Sequence, residues 1–141
     1  MANYVWSDLD IITVPSVRAV DNIPTLTHNI TVTNSGASYY VLTGTDRTST
    51  HSSANNPTVT LMIGDTINFA VNASGHPFLI KTAATTGLGD QASGVTNNGA
   101  ENGTVSWTPD TVGTYYYICR YHGAMVGTIN ATANTSKHVR V

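Results

Sequence analysis

Residues 59–71, VTLMIGDTINFAV, decide the fold. Val59, Leu61 and Ile63 alternate with other residues before Gly64-Asp65, and Ile67, Phe69 and Val71 alternate after it. A period of two places successive side chains on opposite faces of an extended chain, so each half reads as a half-buried strand. The Gly-Asp pair between them predicts a hairpin or a corner where the chain crosses between sheets.

Moving outward, further short segments rich in Val, Ile, Thr, Tyr and Phe lie at 28–33, 38–43, 76–82, 103–108, 114–119 and 126–131. Together with 58–63 and 66–71 they predict eight strands bounded by Gly, Pro and Asn turns. Residues 83–102 interrupt the rhythm with four glycines and no strand of useful length. Inside a compact domain such a loop is functional or disordered. Apolar spacing nowhere sustains a helix beyond about two turns. The fold class is therefore all-β, a sandwich or a small barrel.

Residues 1–27 differ in character, with apolar stretches at Tyr4–Trp6 and Leu9–Val14 interrupted by Pro15 and Pro24. They are expected to form an N-terminal extension that packs on a single domain spanning 28–141. A chain of 141 residues buries an adequate core without staples. Only 10% of its residues are charged, and the net charge is −2. That balance argues against nucleic-acid and membrane-surface partners. Polarity comes instead from Thr, Ser and Asn, with 23 threonines alone. No apolar stretch is long enough to span a membrane. Asn-Xaa-Ser/Thr sequons at Asn29, Asn72, Asn102, Asn130 and Asn134 give a faint hint of export. The expected location is periplasmic or extracellular, with the targeting segment outside this sequence.

The single cysteine cannot form an internal disulfide, so it is a buried small side chain, a reactive group or a metal ligand. It occurs in YYYICRYHGAM, where Cys119, His122 and Met125 follow one another at three-residue steps. The 114–119 strand ends at Cys119, with Tyr115 and Tyr117 on the same face, and a second strand starts after Met125. Thiol, imidazole and thioether thus share one tight connection. A second imidazole, His76, heads another apolar strand in Gly75-His76-Pro77-Phe78, where Pro77 restricts its backbone. Two imidazoles, one thiolate and a weak axial thioether suit copper in both oxidation states. Zinc has no use for the thioether, and iron–sulfur clusters need more thiolates. Taken singly, each residue has an ordinary reading: Cys119 a buried thiol, Met125 core filler, His76 a turn residue. Their conjunction favours one metal site.

These residues make the chain resemble the cupredoxins, the plastocyanin- and azurin-like mononuclear type 1 copper proteins. The resemblance covers roughly residues 30–131, and 56–82 looks like the paired strands that carry the first histidine ligand. It implies a Greek-key β-sandwich binding one copper ion, Cu(I)/Cu(II), through His76, Cys119, His122 and Met125. Two departures stand out. The His-to-Met spacing is shorter than in plastocyanin or azurin, so the axial position is Met125 or water. Pro77 replaces the residue whose backbone N–H bonds the thiolate sulfur in those members.

The leading functional expectation is a one-electron carrier whose redox protein partner docks near His122. The alternatives are an open copper site that reacts with a small molecule such as nitric oxide, and a structural β-sandwich without a metal. His28, His51 and His138 read as surface or terminal residues, and Asp46-Arg47 as a turn with a local ion pair. Glu101, the only glutamate, reads as a solvated loop carboxylate able to hydrogen-bond a ligand.

Overall fold

The structure is a computed structural model that describes residues 23–134. Most of the extension expected over 1–27 therefore lies outside the described residues, as does His138. Thr25–Ala133 forms one compact unit. In the other unit, the Ile23 N–H donates to Asn134 Oδ1 at 3.0 Å.

Nine strands build the unit: β1 (Thr27–Ser35), β2 (Tyr39–Thr45), β3 (Thr50–Asn55), β4 (Val59–Met62), β5 (Thr66–Asn72), β6 (Phe78–Lys81), β7 (Asn102–Trp107), β8 (Gly113–Cys119) and β9 (Val126–Thr132). One sheet has the order β3-β2-β1-β5-β7 and the other β4-β9-β8-β6. The pairs β1–β5 and β4–β9 are parallel, and the remaining pairs are antiparallel. From β4 to β8 consecutive strands alternate between the sheets, so the all-β sandwich is wound in Greek-key fashion. Gly64-Asp65 is thus the sheet-crossing corner of the two expectations, not a hairpin turn.

Alternation generates the core. Ile30 and Val32 of β1, Tyr40 and Leu42 of β2, and Ile67, Phe69 and Val71 of β5 point inward from one sheet. Val59, Leu61, Phe78, Ile80, Tyr117 and Ile129 meet them from the other. Each such side chain contributes about 1.5–3 kcal/mol through its burial. Phe78 stands at the centre, stacked on Tyr117 at 5.4 Å and edge-on to Tyr40 at 5.0 Å between ring centroids. Tyr117 lies across Gly127, its register partner on β9, and its hydroxyl donates to the Pro57 carbonyl at 2.6 Å.

β6 is buried on both faces, which a strand at the edge of a sheet is not expected to be. The 82–101 loop is the reason. It pairs along the open edge of β6 through bridges of Phe78 to Ala100 and Lys81 to Gln91, and it packs against the Leu79 and Lys81 side chains. Lys81 is fully buried, and its ammonium donates to the carbonyls of Thr85 (2.7 Å), Thr86 (3.3 Å) and Gly87 (3.1 Å). The loop is an ordered cover tied down by a lysine.

Two expectations about polar residues are corrected. His28 and His51 are buried, not surface residues. His28 Nε2–H donates to Asp65 at 3.0 Å, and His51 Nε2–H donates to Asp46 at 2.8 Å. Arg47 does not pair with Asp46. Its guanidinium grips Asp65 in a fork at 2.9 and 3.0 Å. Asp65 also accepts from the N–H groups of Leu26 and Met62, which locks the corner preceding β5. Burial pushes the Asp65 carboxyl up, but Arg47, the Leu26 N–H, His28 and the Met62 N–H together hold it well below the ordinary carboxylate range. Local sequence hid the Asp65 pairs because Arg47 and His28 lie 18 and 37 residues from it along the chain.

Candidate metal centre

Two segments of chain meet at one end of the sandwich. The first follows β5. Ala73–His76 closes a turn through the His76 N–H and the Ala73 carbonyl at 2.9 Å, with Gly75 at φ +85°. Glycine takes that conformation without steric cost, which lets the chain reverse just before the histidine. Glu101 braces this turn twice. Its backbone carbonyl accepts from the Ala73 N–H at 2.8 Å, and its carboxylate accepts from the Gly75 N–H at 2.7 Å. The glutamate therefore supports the residue before His76 instead of standing free in solvent.

The second segment joins β8 to β9. Cys119 is the last residue of β8 and pairs with Phe78, so β6 and β8 bring His76 and Cys119 to the same edge. Beyond it the chain turns tightly. The Met125 N–H donates to the His122 carbonyl, and the Cys119 N–H donates to the Met125 carbonyl, each at 3.1 Å. Arg120 ties both segments together. Its N–H donates to the Pro77 carbonyl at 3.1 Å, and its carbonyl accepts from the Gly87 N–H of the covering loop at 2.8 Å.

The result gathers His76, Cys119 and His122, whose ligand atoms all lie within 4.8 Å of one another. Cys119 Sγ is 3.7 Å from His76 Nδ1 and 3.5 Å from His122 Nδ1, and the two imidazole centroids are 4.9 Å apart. A first-row ion with bonds of about 2.3 Å to sulfur and about 2.0 Å to nitrogen, at roughly 110–120°, separates those atoms by roughly 3.5–3.8 Å. The observed spacings match, so the donor set fits a single ion. Cys119 and Met125 are fully buried in the same core cluster, and both histidines are half-buried. Among the described residues no other group of three His, Cys, Asp or Glu side chains converges in this way.

Tyr40, Asn56 and the exact role of Glu101 were not legible as site residues in the sequence. Tyr40 is fully buried, and its hydroxyl donates to the His76 carbonyl at 2.7 Å. Burial first, then the neighbouring Cys119 and Glu101, raises the phenol far above its ordinary value, so it stays neutral and keeps the proton that it donates.

Fold and site together define an all-β sandwich with a candidate metal-ligand cluster at one end, and comparison with known structures gives the same architecture. A crystal structure of a rusticyanin variant superposes with a TM-score of 0.50 at 21% identity, over 75% of this chain and 78% of that one. Rusticyanin from Thiobacillus ferrooxidans gives 0.49 at 20% identity, covering 75% and 77%. A reduced amicyanin mutant gives 0.42 at 22% identity, covering 73% and 81%. The rusticyanin-variant superposition shows that the described unit has the cupredoxin fold. No protein-family model matches the sequence. No curated protein matches it either.

Proposed function

We propose that the protein is a mononuclear type 1 copper protein that carries single electrons between redox partners. The observation that carries this reading is the placement of Cys119 Sγ at 3.5 and 3.7 Å from two imidazole nitrogens. His76, Cys119 and His122 would supply the strong donors, and Met125 the weak axial one. Copper, when bound, supplies the one-electron Cu(I)/Cu(II) couple. The chain does the rest. Buried Phe78, Tyr117 and Met125 keep water from the thiolate side. Backbone hydrogen bonds from Cys119, Arg120 and Met125 fix the loop, so the donors need little rearrangement between oxidation states. Rusticyanin, described as a copper protein, has the same fold and lends support.

A redox protein would dock at the end where His122 is half-buried between exposed Tyr121, Gly123 and Ala124. Such a carrier belongs outside the cytoplasm, in the periplasm or beyond, which the lone, buried thiol permits. Titrating the metal-free protein with Cu(II) while recording visible absorption and EPR tests the reading. One equivalent should produce an intense thiolate-to-copper band that Cys119→Ser abolishes. Met125→Leu should keep the band and stoichiometry but move the reduction potential. No band in the wild-type protein would overturn the copper assignment. Unchanged potential, spectrum and azide binding in Met125→Leu would remove Met125 from the ligand set.

A further inference from the structure

The donors lie on segments 43 residues apart, and the interval between them must be held to a fraction of an ångström. Pro77 provides no N–H to help. A chain of hydrogen bonds outside the donor set provides the link instead. Tyr40 reaches the His76 carbonyl through its hydroxyl. The Tyr40 N–H donates to Asn56 Oδ1 at 2.9 Å, and the Asn56 N–H donates to the Tyr40 carbonyl at 2.8 Å, so the two residues clasp each other. Asn56 Nδ2 then donates to the carbonyl of Ala124 at 3.1 Å and to that of Ser38 at 3.4 Å. One connected path thus leads from the His76 backbone through Tyr40 and Asn56 to the His122–Met125 turn. Asn56 sits at φ +46°, a conformation that Asn tolerates far better than bulky or branched residues. A non-glycine residue held there, with its amide used on both sides, marks a position where backbone geometry is strongly specified.

We infer that Tyr40 and Asn56 are positioning residues that hold the two halves of the donor set in register before a metal arrives. The inference rests on the copper reading for its benefit but not for its geometry. It gives Tyr40 a task beyond core packing, because its hydroxyl donates to the His76 carbonyl. A purely structural pair would support folding and leave metal affinity alone.

The test uses Tyr40→Phe, which keeps the ring, and Asn56→Asp, which keeps the acceptor for Tyr40 and loses the donor to Ala124. Tyr115→Phe is the control, because its hydroxyl donates to the Thr111 carbonyl (2.9 Å) away from the donor set. Three quantities are measured: Cu(II) affinity against a competing chelator, melting of the metal-free proteins, and amide exchange of residues 119–125 without metal. Both variants should bind Cu(II) about 10–100-fold more weakly. Their metal-free melting should match that of Tyr115→Phe, and exchange at Cys119 and Met125 should be faster. Unchanged affinity, or a loss matched by Tyr115→Phe, overturns the inference. Should Tyr40→Phe fail to fold, Asn56→Asp decides alone. If the wild-type protein binds no Cu(II), the copper reading fails separately. The exchange measurement then decides, and unaltered protection of 119–125 overturns the brace.

Discussion

Gly127 faces Tyr117 in the β8–β9 register, and a Cβ there would enter the phenol ring. The ring cannot swing aside, because its hydroxyl is held by the Pro57 carbonyl and its face stacks on Phe78. A side chain at 127 must therefore displace a buried aromatic that lies two residues before the thiol. Overpacking of this kind costs about 1–3 kcal/mol. Gly127→Ala should lower the urea midpoint by that equivalent with an unchanged slope, since the surface exposed on unfolding stays the same. A midpoint equal to wild type would mean that the ring relaxes without cost. At this scale the sequence was informative about donors and silent about their supports. Cys119, His122 and Met125 announce themselves by residue type and spacing. Tyr40 and Asn56 act through carbonyls 36 and 68 residues away, and no periodicity records a side chain that bonds a distant backbone.

Elements built on apolar alternation were legible, and those built on polar contacts were not. β4 and β5 follow directly from VTLMIGDTINFAV. β3 (Thr50–Asn55) carries no strand signal because THSSAN has no apolar alternation, and its buried side chain is His51, turned in to meet Asp46. The corner between β4 and β5 depends likewise on charge. Asp65 is stripped of water and bound by Arg47, His28 and two backbone N–H groups. Asp46 has the same logic: burial raises its carboxyl, but the bonds from His51, Thr48, Thr60 and Ser49 bring it below the ordinary value. Both carboxylates therefore bind protons less readily folded than unfolded. Their stabilising contribution is fully present above the unfolded value of about 3.9 and is lost as pH falls through it toward the folded values. Acid unfolding should set in below about pH 4 on this account. Asp65→Asn should lower stability at neutral pH and flatten its slope in the acid range, as followed by urea denaturation at pH 3 to 7. An acid slope unchanged in Asp65→Asn would show that other groups govern acid unfolding.

On the scale of the whole molecule charge is scarce, and among the described residues much of it is turned inward. The sequence carries 14 acids and bases with a net charge of −2. Asp46 and Asp65 are buried against His51, His28 and Arg47, and Lys81 is buried beneath its loop. Among the described residues, the remaining charges are Asp90, Glu101, Asp110 and Arg120, exposed or half-buried, a sparse set for projecting a field. Tyr121, next to His122, is exposed, with the Arg120 guanidinium 5.2 Å above its ring. A partner approaching His122 would be recognised by contact more than by long-range attraction. Exposed charges are screened beyond about 8 Å at physiological salt, so steering shows itself as a rate that falls steeply with ionic strength. Reduction of the copper-loaded protein by an anionic and by a cationic complex of similar driving force separates the cases. Both rates should change by less than about threefold between 10 and 200 mM salt, against the 10–1,000-fold rate gains of strongly steered association. Steep and opposite salt dependences for the two reagents would reveal a local field that the distribution of charge does not provide. They would point to Arg120, two residues from His122, or to Glu101 at the Gly75 turn, as its source.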